Sequence, residues 1–478
     1  MMSTSARADS PAHIVARLDR LSVWSFPYLF IVVIGVGFLF TFYDIFNINV
    51  SFIETCQAIV PGCTPGTASH YLGLPVLLNL LGYMVGTLVL SPVSDRVGRR
   101  SMLLITMGIT GLGSLWTAFA AHYAIFTLAR AVTGLGIGAD LAIVNTYISE
   151  VAPANGRARY TSLIFILSTF GAFLGIWLGL ELTTPSTPFP AGLPIAIAGP
   201  HFLDGWRWMY GIGALLAAVG VLLRYKMPES PRWLISRGRM EEAEQIVLAM
   251  EKRAEHRQPL PPVVADTSVS IESAAKIPYR TIFSDARYRS RTLILLAMWF
   301  FSYVTVYSLA SGFTTLLVSL NYPPPEAGLI VAIGVVGMVL SAVAAYLFGE
   351  HMERKYWLII SAGLTMIGGI IIAESGTVLV LTLLGAATVF FGFNLWIPIA
   401  YAWSTEHYPT RARSTGFALV DGVGHVGGGL GVLIVVPIVA TLPVLPAFMI
   451  ISGFLLLGGG IALFGVRTRG VPLDRLSP

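Results

Sequence analysis

The stretch EVAPANGRAR (150–159) has a counterpart, EHYPTRAR (406–413), late in the same chain. In both, a glutamate is followed by x-x-Pro and then by two arginines one residue apart: Glu150, Pro153, Arg157 and Arg159, then Glu406, Pro409, Arg411 and Arg413. A second charged signature repeats at nearly the same offset, Asp95-Arg96 answered by Glu353-Arg354. Two signatures recurring in step point to a duplicated unit.

The sequence around these markers is strongly apolar. Of 478 residues, 55% are hydrophobic and only 12% are Asp, Glu, Lys or Arg, where an ordinary soluble domain carries roughly 25%. Such a chain cannot cover itself with a solvated surface, which excludes a water-soluble enzyme. A membrane-spanning helix needs about 20 apolar residues, and twelve such runs can be marked: 25–51, 71–93, 101–121, 124–149, 160–182 and 206–224, then 293–318, 327–348, 356–374, 377–403, 414–440 and 445–466. The 49 Gly and 28 Pro fit, because spanning helices tolerate both where neighbours re-satisfy the backbone. Two cysteines leave no room for a Cys-based metal or iron–sulfur centre, and neither a metal site nor a cofactor is expected.

Positive charge sorts by side. The even-numbered connections carry Arg96, Arg99 and Arg100, then Arg157 and Arg159, a basic central insert, Arg354 and Lys355, and Arg411 and Arg413. The odd-numbered connections (about 52–70, 183–205, 319–326 and 441–444) hold no Lys or Arg. Outside the tails and even-numbered loops, only Arg130 and Arg207 remain. By the positive-inside rule both termini and the insert face the cytoplasm of a plasma membrane protein. The net charge of +5 is thus accounted for by topology, and no nucleic-acid partner is expected.

The expected organisation is an N-terminal segment (1–24), a six-helix half (25–224), a central loop (225–291), a second six-helix half (292–466) and a tail (467–478). Within the loop, RGRMEEAEQIVLAMEKR (237–253) has helical spacing of Met240, Ala243, Ile246 and Val247, and QPLPPVVADTSVSIES (258–273) reads as a linker. The fold class is an all-α polytopic membrane protein with twelve transmembrane helices in two halves, a duplication typical of alternating-access carriers.

At this level of detail the residues resemble a family. SPVSDRVGRR (91–100) is similar to the loop signature of the major facilitator superfamily, with Ser91 in place of the first Gly. GWRWMYG (205–211), PESPRWL (228–234), the R-x-x-x-G-x-G-x-G of 130–138, YISE (147–150) and PIAYAWSTEHYPTRAR (398–413) resemble its sugar porter and metabolite:proton symporter branch. The resemblance implies a cytoplasmic gate: Asp95, Arg96, Arg99, Arg100, Glu150, Arg157, Glu353, Arg354, Glu406 and Arg411, with the two glutamates bridging to loop arginines as a latch between the halves. It also implies that Asp44 of span 1 and Arg130 at the start of span 4 form the proton-coupling pair.

Few ionisable groups lie inside the spans, where each is expensive and functional by default. Besides Asp44 and Arg130 these are Asp140, Asp421 and His425. Asp140 stands ten residues from Arg130, about 15 Å along a helix, so the two do not pair; it is a candidate for the central site. Asp421 and His425 share a helix face one turn apart and can bind substrate or relay protons. The Gln and Asn set that sugar porters place in spans 5 and 7 is missing, leaving Tyr303, Tyr307, Asn394 and Tyr401 as further substrate-binding candidates. In the odd-numbered loop after span 1, Cys56 and Cys63 are expected to bridge in an oxidising compartment, two free thiols being the alternative.

These residues imply proton-coupled uptake of a small polar metabolite, such as an organic acid or sugar, by a monomer embedded in lipid. The alternatives are phosphate/proton symport, drug/proton antiport, or a nutrient receptor that does not transport.

Overall fold

The computed structural model describes residues 10–153, 157–199, 201–263, 278–376, 378–409 and 412–469. Among them twelve helices are long and apolar enough to cross a membrane: α1 (Leu29–Ile59), α2 (Pro65–Val97), α3 (Arg99–Ala118), α4 (Tyr123–Ile148), α5 (Leu163–Thr183), α6 (Gly205–Arg224), α7 (Ala286–Ala310), α8 (Pro324–Phe348), α9 (Tyr356–Glu374), α10 (Leu379–Glu406), α11 (Thr415–Val439) and α12 (Val444–Ala462). The described residues form no β-strand beyond an isolated bridge between Gly199 and Phe202. Each expected span has its helix, with shifted ends. The first differs most: α1 runs on to Ile59, so Cys56 sits in its last turns rather than in a loop.

Helices α1–α6 form one half and α7–α12 the other, and the halves meet along α2 with α11 and α5 with α8. One face carries the described ends of the chain and the central insert; we call it the terminal face. The other carries a Cys56–Cys63 disulfide, as expected.

The sequence motifs are solutions to helix-end and helix-contact problems. In the 130–138 motif, a Cβ at Gly134 or Gly138 would run into the backbone carbonyls of Asn79 or Tyr83 on α2, and one at Gly136 into Thr110 on α3. The three glycines therefore let α4 lie close against two neighbours at once. Gly98 has φ +108°, a conformation that favours glycine. That turn lets Glu229 of PESPRWL accept from the N–H groups of Arg99 (2.9 Å) and Arg100 (3.1 Å), capping the start of α3 with an anion. Ser230 accepts from Trp233 N–H to cap the short helix Pro231–Ser236, and Trp233 Nε1 donates to the Asp95 carbonyl. In GWRWMYG, Arg207 donates to the carbonyls of Ala118 and Ala120 and closes the far end of α3.

The charged duplication is real, in a different register from the one read in the sequence. Arg99 pairs with Glu150 (3.0 Å) and with Asp95 one turn away (2.6 Å). Arg354 likewise pairs with Glu406 and with Glu350 one turn away. The counterpart of Arg354 is therefore Arg99, not Arg96, and that of Asp95 is Glu350, not Glu353. Arg96 is exposed, and Glu353 instead accepts from the Thr468 N–H at 3.1 Å.

Among the described residues four spanning helices are interrupted, α10 by a turn at Trp396 between Leu395 and Ile397. The seventh span stops at Ala310 and resumes as Phe313–Ser319, where one continuous helix was expected. α2 and α11 each contain a wide π turn, Gly86–Leu90 and Gly431–Val435, a distortion frequent at functional sites.

In the insert, a helix at Met240–Glu255 matches the expected amphipathic segment; residues 264–273 of the expected linker lie outside the described residues. An unforeseen helix, Pro11–Asp19, lies beside the insert helix. Arg17 (2.6 Å) and Arg20 (2.6 Å) both bond Glu251. Burial alone would push that carboxyl upward, but the two guanidiniums hold it below its ordinary value.

Candidate functional site

Three charged clusters lie within the helices. In the first, Arg130 of α4 donates to Asp44 of α1 at 2.7 Å, both side chains buried. A second guanidinium nitrogen reaches the Asp44 backbone carbonyl at 3.3 Å, and the Tyr210 ring faces the guanidinium at 5.5 Å. Asn79 of α2 donates to the Arg130 carbonyl at 2.9 Å. Asp44 Oδ2 and Arg130 Nε have no hydrogen-bond partner among the described residues. The pair anticipated from the sequence is thus assembled, inside the first half and in a setting where its polar groups are incompletely satisfied.

The second cluster corrects an expectation. Asp140 does not face the space between the halves. Its carboxylate closes on Arg224 at the end of α6, with an Nη2–Oδ2 distance of 3.1 Å, and accepts from Thr106 of α3 at 3.0 Å. Arg224 also donates to the carbonyls of Ile34 (2.9 Å) and Val33 (3.4 Å). It is fully buried, and Asp140 is its counter-charge within the bundle.

The third cluster lies between the halves. A cavity of about 10 Å³ is lined by Phe38 of α1, Tyr83 and Thr87 of α2, Leu141, Ala142 and Asn145 of α4, Tyr401 of α10, and Phe417, Ala418 and Asp421 of α11. That is room for about one water. Asp421 accepts the Tyr83 hydroxyl at 2.8 Å and the Tyr303 hydroxyl at 2.7 Å. The first comes from the opposite half and the second from α7. His425 stacks on the Tyr83 ring with centroids 3.8 Å apart, and its Nδ1 lies 2.6 Å from the Asp421 backbone carbonyl. Around them stand Trp299, Tyr307, Trp396 and Tyr401; Trp299 Nε1 donates to Ser404 at 2.9 Å.

Tyr303, Tyr307, Tyr401, Asp421 and His425 are therefore brought together. Asn394 is not: it donates to Ser341 at 2.9 Å in the α8–α10 contact. Tyr83 was missed. Nothing in its local sequence, Gly82-Tyr83 with Gly86 after it, signals the role. Asn49 was missed too: its amide donates to the carbonyls of Leu309 (2.9 Å) and Ala310 (2.7 Å) and accepts from Thr314 N–H (2.9 Å), spanning the break in the seventh helix. With Ser319 donating to Ser69 (3.3 Å), it joins the halves on the disulfide face.

The expected latch lies partly outside the described residues. The pairs of Glu150 with Arg99 and of Glu406 with Arg354 each tie helices of a single half. Arg100 serves its own half too, donating to the Tyr225 carbonyl. The Arg157 side chain and Arg411 lie outside the described residues. Among the described residues no cluster of three or more His, Cys, Asp or Glu side chains could hold a metal ion.

Residues 29–477 match the family described as sugar (and other) transporter. The chain belongs to that family. It is a polytopic membrane transporter of the major facilitator fold and not an enzyme. It is 29% identical over 430 residues to a niacin transporter of Acinetobacter baylyi, covering 90% of each chain. It is 27% identical over 435 residues to a gallate transporter of Pseudomonas putida, covering 89% of this chain and 88% of that one. Among solved structures it resembles the proton:xylose symporter XylE, with TM-score 0.69, 21% identity, and coverage of 97% and 98%. That likeness carries the fold alone.

Proposed function

We propose that this transporter is a proton-coupled symporter that takes up a small organic acid across the plasma membrane, with the terminal face in the cytoplasm. The orientation rests on the Lys/Arg bias of the even-numbered connections. The observation that carries the coupling is the buried Asp44–Arg130 pair. A carboxylate beside a guanidinium keeps its charge, and one left alone in apolar surroundings takes up a proton. Asp44 is the proton carrier in this reading and Arg130 the partner that holds its charge when no proton is aboard. A protonated Asp44 spares the reorienting carrier an unpaired carboxylate in low dielectric.

The walls of the central cavity support an organic acid over a sugar. The rings of Phe38, Tyr83, Tyr401 and Phe417 face it, and the fifth and seventh spans offer no Gln or Asn. Aromatic faces stack on planar ligands, and the niacin and gallate transporters both have an aromatic acid in their names. The test is counterflow of radiolabelled nicotinate, gallate and xylose in proteoliposomes, followed by accumulation under an imposed pH gradient. Accumulation of an aromatic acid that collapses with a protonophore supports the reading. Counterflow without proton-driven accumulation removes the coupling, and counterflow of xylose alone removes the acid.

A further inference from the structure

Three carboxylates lie deep among the spanning helices, and two of them have a fixed cation: Arg130 for Asp44 and Arg224 for Asp140. Asp421 has none. The titratable groups that face it are Tyr83 from α2, Tyr303 and Tyr307 from α7, Tyr401 from α10 and His425 from its own helix. The contribution of α4 to the same space, Leu141, Ala142 and Asn145, does not titrate. His425 Nδ1 is 3.8 Å from the carboxylate and is turned to the backbone carbonyl instead. Asp421 is also the one of the three whose carboxylate is bonded across the boundary between the halves.

We propose that Asp421 is a second proton-exchanging group, and that Tyr83 transmits its charge state across the boundary between the halves. The proposal rests on the proton-coupled reading above and adds a site to it. An ionised Asp421 offers two oxygens as acceptors, one for a hydroxyl from each half, and such charge-assisted bonds are the strong kind. A proton arriving from water in the cavity forms an O–H bond on one of those oxygens. The oxygen turns from acceptor to donor, one tyrosine hydroxyl loses its partner, and the link between α2 and α11 weakens. After reorientation the O–H bond breaks, the proton leaves to water on the other face, and the carboxylate recovers both donors. No other reactant enters. The π turns of α2 and α11, each within the helix that carries one end of the link, give both helices a place to bend.

The experiment uses the full chain in two settings. In purified protein, infrared difference spectra recorded across a pH titration count the carboxyl groups that change protonation without any substrate. One carboxyl stretching band is expected to disappear in Asp421→Asn and to persist in Asp44→Asn. In Tyr83→Phe the band is expected to stay but move in frequency, because one hydrogen bond is gone. In proteoliposomes with nicotinate as probe and a trapped pH dye, Asp421→Asn is expected to lose one proton per nicotinate, and Tyr83→Phe, which keeps the titrating carboxyl but not its bond to α2, is expected to fall below the wild-type ratio as well. A titrating band unchanged in Asp421→Asn overturns the proposal whether or not nicotinate is carried. So does a Tyr83→Phe ratio equal to that of the wild type, because the charge state would then reach the other half without Tyr83. A wild-type protein that moves nicotinate without protons, yet loses the band in Asp421→Asn, overturns the coupled reading and leaves Asp421 as a proton site.

Discussion

Arg224 of α6 and Asp140 of α4 form a buried ion pair inside the first half, with Thr106 of α3 and the backbone of α1 completing its hydrogen bonds. It ties four helices at one point. Because every described partner belongs to the same half, the pair stiffens a unit that moves and does not bridge units that separate.

Removing one partner of such a pair strands a charge away from water. Asp140→Asn or Arg224→Met is therefore expected to destabilise the protein by about 3–5 kcal/mol. The double variant Asp140→Leu/Arg224→Met should recover much of that, since no charge is left behind. Thermal unfolding in detergent measures both. Equal losses in the single and double variants would mean that packing, not charge, is what the site supplies.

Asp44→Asn imitates a permanently protonated carrier. Exchange of substrate down its own gradient should persist, because it needs no net proton release, while accumulation driven by a pH gradient should vanish. Accumulation that survives in Asp44→Asn would remove this residue from the coupling.

Gly98→Ala puts a side chain where φ is +108° and the Glu229 carboxylate lies against the turn. A strained backbone of this kind costs about 1–3 kcal/mol, and the anionic cap of α3 is disturbed with it. Reduced thermal stability is expected. Glu229→Gln, which keeps the shape and loses the charge, should show a smaller loss of the same sign.

The bond of Arg17 and Arg20 to Glu251 predicts an acid response. Glu251 is held below its ordinary value, so the attachment is fully present above the unfolded carboxyl's range, near pH 4.5, and is lost as pH falls through the lower folded value. Amide exchange in residues 11–19 should quicken below that range and not between pH 6 and pH 8. In Glu251→Gln it should be fast throughout.

Cys56 and Cys63 report sidedness as well as pairing. With the disulfide in place on the face away from the termini, a membrane-impermeant maleimide added to intact cells should label neither residue until reductant is supplied. Labelling without reductant would show free thiols. Failure to label after reduction would put that face inside the cell.

What the sequence made legible depended on how each residue announces itself. Twelve helices follow from apolar run length, and the duplication from paired acids and arginines, because both signals are local. Asp44 and Arg130 were paired correctly through their motifs. Asp140 was placed in the wrong environment because its partner, Arg224, ends a helix beside a basic loop and looks like part of it. The register of the duplication was off because two arginines three residues apart, Arg96 and Arg99, look alike in sequence, while only one of them faces Glu150. Tyr83 and Asn49 were invisible for a different reason. Each acts through a residue hundreds of positions away, and no spacing rule reaches that far.

The break in the seventh helix gives the disulfide face a reversible seal. Breaking a helix at Ser311 frees backbone carbonyls, and the Asn49 amide takes up those of Leu309 and Ala310. Should that face part, water can solvate the same carbonyls and the same amide. Exchanging one set of hydrogen bonds for another is nearly neutral, whereas parting an apolar plug would expose oily surface to water. Asn49 thus lets the joint hold firmly when dry and come undone when wetted, at little thermodynamic cost in either direction.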